Sequence, residues 1–483
     1  MLVIGLDLGT QSLKAVVCDE GLRVRGQHAV AYDTSYPEPG RAEHDPRGWE
    51  RALGPAIAGA LAAAGVTAAD IAAIAIAGQL DGCVAVDARG APVHPALIWQ
   101  DRRAVAQATR VPSARVFAIT GQVADPSHLA PKIGWLREHG VVAAKFHQPV
   151  SYLVARLTGA AVIDPALAST TMLLELASAT WATELLEAFE VSPDELPEVR
   201  PTCAVAGTLT AEGAELSGLR PGTVVAVGTG DDFANALGAG VIAPGSIVCA
   251  IGTAEVVGTL ATTPVLDRVA AEPMVETHLY PTGAFFVENP GWLSGGAVRW
   301  AVRMLGLADD AELDALAASV PAGADGVTFI PALAGAMTPV WRPTARGSLH
   351  GLAAGHDRAH VARAVLEGLA FACRDVVERL IALGLPARDV LLLGGGARSG
   401  IWSQLRADVL GLVHRVSSTP DASPLGAAMI AAVAGGLVPD LAAAAALVPP
   451  PSTTYLPGRR DALDAAYRRY QALVTQLAAP HPV

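Results

Sequence analysis

Aromatic residues make up only 5% of this 483-residue chain and charged residues 17%, against 52% hydrophobic. A core so poor in aromatics must be filled by Ala, Val and Leu. The formal net charge of −12 opposes nucleic acid and anionic membranes, which need clustered Lys and Arg. A nucleotide ligand stays open, because a few glycine-turn amides can hold one. The five cysteines, Cys18, Cys83, Cys203, Cys249 and Cys373, lie far apart with no CxxC pair. That spacing excludes a disulfide framework and predicts reduced, core-packed thiols in a cytoplasmic protein. The longest charge-free apolar stretch, residues 424–438, is too short and too broken by glycine to span a bilayer. No basic leader precedes the first apolar run, so no secretory signal is expected.

What the chain does contain is an apolar strand that runs into a glycine turn, several times over. In the first, Leu2-Val3-Ile4-Gly5-Leu6 leads to Asp7, then to Gly9-Thr10, with Lys14 shortly after. Such a strand end can hold magnesium on its carboxylate while backbone N–H groups face phosphate. An ordinary strand with an edge Asp before a hairpin is the competing reading, and related patterns at residues 228–232, 251–254 and 393–399 weigh against it. Residues 2–8, 13–18 and 24–31 read as a three-strand meander, and Asp45-Pro46 as the start of a helix that stops near Gly65. Strands at 71–77, 83–87 and 96–99, helices near 130–139 and 152–157, and a buried strand at 223–227 follow. Residues 238–245 form a glycine-rich hinge. Beyond it the pattern restarts with strands at 246–251 and 255–260, helices near 294–305 and 360–383, and a strand at 390–393. Two halves, 1–242 and 243–483, thus suggest a duplicated α/β unit with a cleft between.

The stretch Gly347-Ser348-Leu349-His350-Gly351-Leu352, followed by His360-Val361 and Ala364-Val365-Leu366-Glu367, resembles a signature of the FGGY family of carbohydrate kinases. A second signature is nearly kept in residues 127–139, with Lys132 and Trp135 in place and Leu129 where a small polar residue or proline is usual. The resemblance, greatest to the xylulokinase branch, runs from Val3 to about Ala432. It implies an α/β fold of two actin-like (ribonuclease-H-like, ASKHA) domains with an interdomain active-site cleft, closing on ATP and a sugar. Asp7 would hold Mg2+, and Thr10, Gln11, Ser12 and Lys14 would lie near the transferred phosphate. Asp231 falls where the family carries its catalytic base. Gly252 and Thr253 match the second phosphate loop, and Gly295, Gly395, Gly396 and Ser399 the rest of the ATP site. Gln79, Leu80, Asp81 and Trp99 fall around the sugar. A homodimer is implied; nucleic acid and membrane partners are not.

Phosphoryl transfer asks mainly for positioning, a metal to offset charge, and a base for the attacking hydroxyl. Asp231 ends a buried strand in a glycine turn, where a carboxylate can approach a hydroxyl. Asp232 is its rival, although capping of the following helix suits Asp232 better. Leu80-Asp81 replaces the Met-His pair usual in xylulokinases, and Asp81 restores a carboxylate where glycerol kinases carry an Arg-Glu pair. A carboxylate accepts from two vicinal hydroxyls, whereas an imidazole can donate one; a loop Asp capping a turn is the alternative. Gly335-Ala336-Met337-Thr338-Pro339 also lacks a charged pair usual in the family. The expected substrate is a pentulose, D-xylulose first, with another ketose or a polyol such as glycerol or erythritol as the rival favoured by Asp81. A non-catalytic nucleotide switch is the remote alternative. His356 and His360, four apart without an intervening Glu, are not expected to bind metal.

Overall fold

The structure, a computed structural model, describes residues 1–270, 272–419 and 421–477. Its chain forms two compact units. The first comprises Met1–Ile242, Thr277–Phe286 and Asp421–Val448; the second comprises Ala243–Glu276, Val287–Pro420 and Pro449–Val483. A single cut after residue 242 therefore does not separate them. The helix Ala422–Ala434 explains one return to the first unit: nearly every residue in it is apolar and buried, so it needs cover on all faces.

In the first unit, β1 (Leu2–Leu8) pairs antiparallel with β2 (Ser12–Cys18), Asp7 opposite Lys14, and β2 with β3 (Val24–Ala31). Helix α1 (Pro46–Ala64) begins where the Asp45 carboxylate accepts from Arg47 N–H and ends on Gly65 at φ 67°. Strand β4 (Ile71–Gly78) returns parallel to β1. After α2 (Leu129–Glu138) and α3 (Pro149–Thr158) come β5 (Val205–Thr208), β6 (Val224–Ala226), β7 (Thr229–Gly230) and α4 (Asp231–Gly238). The sheet runs β5-β6-β4-β1-β2-β3, with β7 beside β4. The strand expected at 223–227 is shorter, and the chain breaks at Gly228 before rejoining the sheet as β7. Gly228 has φ 81°, and a Cβ there would sit 2.2 Å from the Ile76 carbonyl oxygen. Only glycine fits both demands.

The second unit repeats the plan. Strand β8 (Gly245–Ile251) forms an antiparallel hairpin with β9 (Ala254–Ala261). Then come β10 (Phe285–Leu293), α5 (Gly295–Met304), α6 (Arg358–Ala382), β11 (Ala387–Leu393), α7 (Gly400–Leu410), β12 (Val413–Val416) and β13 (Thr453–Tyr455). Their order is β10-β9-β8-β11-β12-β13, with β8, β11 and β12 parallel. Both units thus open with a hairpin whose first strand is joined by a later parallel one. Glu255 and Arg406 form a fully buried ion pair, and Ser294 Oγ donates to Glu255 Oε2 at 2.7 Å. With Glu255 so committed, the buried Cys249 and Cys373 thiols, 3.7 Å apart, are free core residues as expected. Among the described residues no helix is long and apolar enough to cross a membrane.

Close helix approach fixes the first unit. A Cβ on Gly5 of β1 would meet the Pro424 carbonyl oxygen at 1.9 Å, one on Gly238 the Ala422 oxygen at 1.9 Å, and one on Gly426 the Ala234 oxygen at 2.1 Å. These are backbone atoms and cannot swing aside. Gly426→Val should therefore lower the melting temperature by several degrees, consistent with an overpacking cost of ~1–3 kcal/mol or more. Thermal unfolding followed by circular dichroism checks this; an unchanged melting temperature would show that α4 and the helix Ala422–Ala434 can move apart freely.

Candidate active site

Parallel pairing brings the ends of β1, β4 and β7 to one edge. In register, Ala77 of β4 faces Asp7 on one side and Thr229 on the other, and Gly78 faces Leu8 and Gly230. Asp7 thus lies near the end of β1, while Gln79 and Asp231 follow β4 and β7 level with each other and two residues further on, all at the carboxyl edge where open parallel sheets present their sites. Asp7 Oδ1 accepts from Ser423 Oγ at 3.1 Å. Burial pushes its carboxyl up to about 6, against the pull of Ser423 and Lys14. Burial, followed by the charges of Asp232 and Asp7, raises Asp231 well above the usual carboxylate range. Asp232 is pushed to about 6 by burial and by Asp81. The first unit therefore gathers carboxylates that repel one another in a poorly solvated place.

The helix start differs from the sequence expectation. Gly230 occupies the cap position, and it is the Asp231 carboxylate, not that of Asp232, that accepts a backbone N–H, from Asp232 at 3.1 Å. Asp231 is the first residue of α4, so its side chain stays beside the first free amides. That bond orients Asp231 without removing it from the strand end.

Around this edge the remaining expected residues have defined partners. Gly9 N–H donates to Ser12 O at 3.1 Å, closing the β1–β2 turn that carries Thr10 and Gln11. Tyr32, which the sequence did not single out, donates its hydroxyl to the Gly9 carbonyl. Trp99 Nε1 donates to Thr10 Oγ1 at 2.9 Å, so Trp99 and Thr10 act as neighbours. Lys14 Nζ lies 2.5 Å from Asp421 Oδ1 and is already paired. Gln79 is buried, and its Oε1 has no hydrogen-bond partner among the described residues. A buried acceptor in that state calls for a ligand or water donor. Leu80 closes over β7: a Cβ on Gly230 would lie 3.0 Å from Leu80 Cγ.

Asp81 is held through its whole residue. Its φ of 59° is in the left-handed region, where a non-glycine residue needs support. Its N–H donates to Gln148 Oε1 at 3.2 Å, its carbonyl accepts from Lys132 Nζ at 2.6 Å, and its Oδ1 lies 3.1 Å from His128 Nδ1. Lys132 is fully buried and also donates to Ile98 O at 2.8 Å; burial lowers its ammonium to about 8. His128, Gln148 and His278 were missed from the sequence. Lone His and Gln residues on different elements leave no periodic signal.

In the second unit the expected turns cluster on the β8–β9 hairpin. Ser294 N–H and Gly296 N–H both donate to Thr253 O, at 3.1 and 3.0 Å. A Cβ on Gly295 would lie 2.3 Å from Gly252 O, and one on Gly396 would lie 2.3 Å from Ile251 Cγ2. Packing alone thus demands those two glycines. Gly252 and Gly395 are open by contrast, with nearest atoms at 3.5 and 3.4 Å, so their faces are free for a ligand. Ser399 caps α7 by accepting from Trp402 N–H and donates to Asp314 Oδ2 at 2.7 Å, so its hydroxyl is already engaged. His360 pairs with Asp357 and Asp325.

The all-oxygen donor set around Asp7, with charge to spare, suits a hard divalent cation such as Mg2+.

The family model for the N-terminal domain of the FGGY family of carbohydrate kinases matches residues 2–238, and that for the C-terminal domain matches residues 247–435. The xylulose kinase of Escherichia coli (strain K12) is 32% identical over 445 residues, covering 89% of this chain and 90% of that one. The glycerol kinase of Trichlorobacter lovleyi is 34% identical over 459 residues, covering 90% of each. Among solved structures, xylulose kinase from Rhodospirillum rubrum is similar with a TM-score of 0.90 at 30% identity, over 99% of both chains.

The raised carboxyls predict a stability effect with a definite sign. Asp7 holds its proton up to about 6 in the fold against an ordinary 3.8. Its contribution to stability is therefore full below the ordinary value and lost as pH rises through about 6. Without added divalent metal, Asp7→Asn should melt a few degrees higher than the parent at pH 7.5, with the gap closing by pH 4.5. A variant that melts lower at both pH values would mean that the carboxylate is not under strain.

Proposed function

The chain belongs to the FGGY family of carbohydrate kinases, and on that premise we propose that it phosphorylates the terminal hydroxyl of a pentulose, D-xylulose first. The observation that carries this reading is the gathering of Asp231, Asp7 and Gln79 at the adjoining ends of β7, β1 and β4. Asp231 takes the proton of the attacking hydroxyl. Its raised carboxyl suits a base, which must take up a proton as well as release one. Asp7 holds Mg2+, which when bound offsets charge on the phosphates. Thr10, Gln11, Ser12 and Lys14 line the phosphate turn, Thr10 kept in place by Trp99. The unpartnered Gln79 Oε1 and the Asp81 carboxylate accept from sugar hydroxyls, with Leu80 and Trp99 bounding the sugar. Gly252, Thr253 and Gly395 form the second unit's turn for ATP, with open space above Gly252 and Gly395. Gly295, Gly396 and Ser399 shape that turn by packing and capping.

A second reading is a polyol kinase acting on glycerol or erythritol. It is supported by the carboxylate that Asp81 carries on a firmly held backbone and by the glycerol kinases among the relatives.

Magnesium- and ATP-dependent ADP release against D-xylulose, D-ribulose, L-ribulose, L-xylulose, glycerol and erythritol tests the substrate. Turnover on D-xylulose supports the first reading, and turnover confined to glycerol or erythritol supports the second. Asp231→Asn should lower kcat by ~10²–10⁴-fold on the accepted substrate; a loss confined to Asp232→Asn would move the base to its neighbour. The acid limb of kcat/KM also discriminates. Activity falls as pH drops and Asp231 takes up its proton, and the Asp232 charge raises that carboxyl. Asp232→Asn should therefore shift the acid limb to lower pH, whereas an unmoved limb would separate Asp232 from the base.

A further inference from the structure

The His128 ring meets opposed demands at one nitrogen. Its Nε2 lies 3.2 Å from the Val123 carbonyl oxygen, which can only accept, so Nε2 carries a proton in either charge state. Its Nδ1 lies 3.1 Å from Asp81 Oδ1, an acceptor, and 3.3 Å from Gln122 Nε2, a donor. The Gln122 amide is fixed, because Met172 N–H donates to its Oε1 at 2.9 Å. A protonated Nδ1 therefore bonds Asp81, and a neutral Nδ1 accepts from Gln122 instead.

We infer that His128 is a positioning residue for substrate selection: its imidazolium locks the Asp81 carboxylate as a hydroxyl acceptor, and its neutral form releases it. The inference rests on Asp81 contacting the polyhydroxy substrate. The surrounding groups favour the switch. Asp81 faces the ring from the loop after β4, and His278 adds an imidazole from the segment Thr277–Phe286, kept neutral near 4 by burial. On its far side Asp81 senses Asp232 of α4, and Lys132, in the same helix α2 that follows His128, holds the Asp81 carbonyl with Asp125 nearby. In the locked state the imidazolium offsets repulsion between Asp81 and Asp232, leaving Asp81 Oδ2 oriented for hydroxyl donors. Because residue 81 is fixed at N–H and carbonyl, only its side chain is left to switch. The substrate class this selects is a vicinal diol, two neighbouring hydroxyls that a single carboxylate can accept together.

The step acts on binding, not on the base, so it should appear in KM for the sugar. In the parent enzyme that KM should rise about tenfold as pH is raised across the range in which a histidine ordinarily titrates, the loss of one charge-assisted hydrogen bond. In His128→Gln, which donates without titrating, KM for the sugar should stay flat over the same window, with KM for ATP and kcat following the parent. A KM profile that keeps its rise in His128→Gln overturns the inference. A second measurement does not depend on turnover. Histidine side-chain NMR of the free protein should show the His128 titration midpoint falling in Asp81→Asn, because an opposite charge has been removed. An unmoved midpoint overturns the pairing, even if the sugar panel succeeds. Failure of the panel with a shifted midpoint would instead count against the substrate reading while leaving the His128–Asp81 pair in place.

Discussion

Like-charge repulsion among carboxylates is the constraint on which the first unit is built. Asp7, Asp231 and Asp232 are each pushed up by burial and then by a neighbouring carboxylate: Asp421 for Asp7, Asp232 and Asp7 for Asp231, and Asp81 for Asp232. Nothing in their mutual electrostatics holds them together, so the backbone must. It does so through parallel register, in which Ala77 and Gly78 fix the level of β1 on one side and β7 on the other. The nearby cation, Lys14, is partly spent on Asp421. The edge therefore keeps a negative excess, an expensive arrangement for the fold alone and a useful one for binding a divalent cation.

Holding such a cluster needs a stiff base, and glycine supplies it by permitting contact rather than flexibility. Gly5, Gly238 and Gly426 let the helix Ala422–Ala434 lie directly on β1 and α4. That helix also brings Ser423 to Asp7 and Asp421 to Lys14. The same chain segment thus packs the strand end and contacts its charges. In the second unit Gly295 and Gly396 serve the same mechanical purpose around Gly252 and Ile251. Their role is close packing, whereas Gly252 and Gly395 leave room above the backbone.

The sequence was most legible where a feature is local. The caps at Asp45 and Gly65, the β1–β2 and β8–β9 hairpins, and the strand that enters the glycine turn at Gly394 all depend on residues a few positions apart. Contacts made by distant segments were not legible. The return of residues 277–286 and 421–448 to the first unit leaves no trace in periodicity, nor does the meeting of His128 and Gln148 at Asp81. The capping assignment failed for a local reason. The helix begins two residues earlier than a cap at Asp232 would place it, so Gly230 takes the cap and Asp231 accepts the adjacent amide. For Gly295 and Gly396, motif position and packing demand the same residue, so their identity alone does not separate ligand contact from fold.

The proposed sugar site is rich in acceptors: Gln79 Oε1 and the carboxylates of Asp81 and Asp231. Ketoses and polyols both satisfy such groups, because each presents hydroxyls along its chain. A site of this kind strongly rejects a molecule lacking a required hydroxyl, since its buried acceptors would be left unpaired. It rejects an extra carbon only weakly, because one methylene in a pocket is worth ~1–3 kcal/mol. Discrimination between a three-carbon polyol and a five-carbon ketose must then come from shape, from Leu80 closing over Gly230 and from Trp99 beside Thr10. On the proposed reading, acceptor count sets which class of compound enters, and those two side chains set its length.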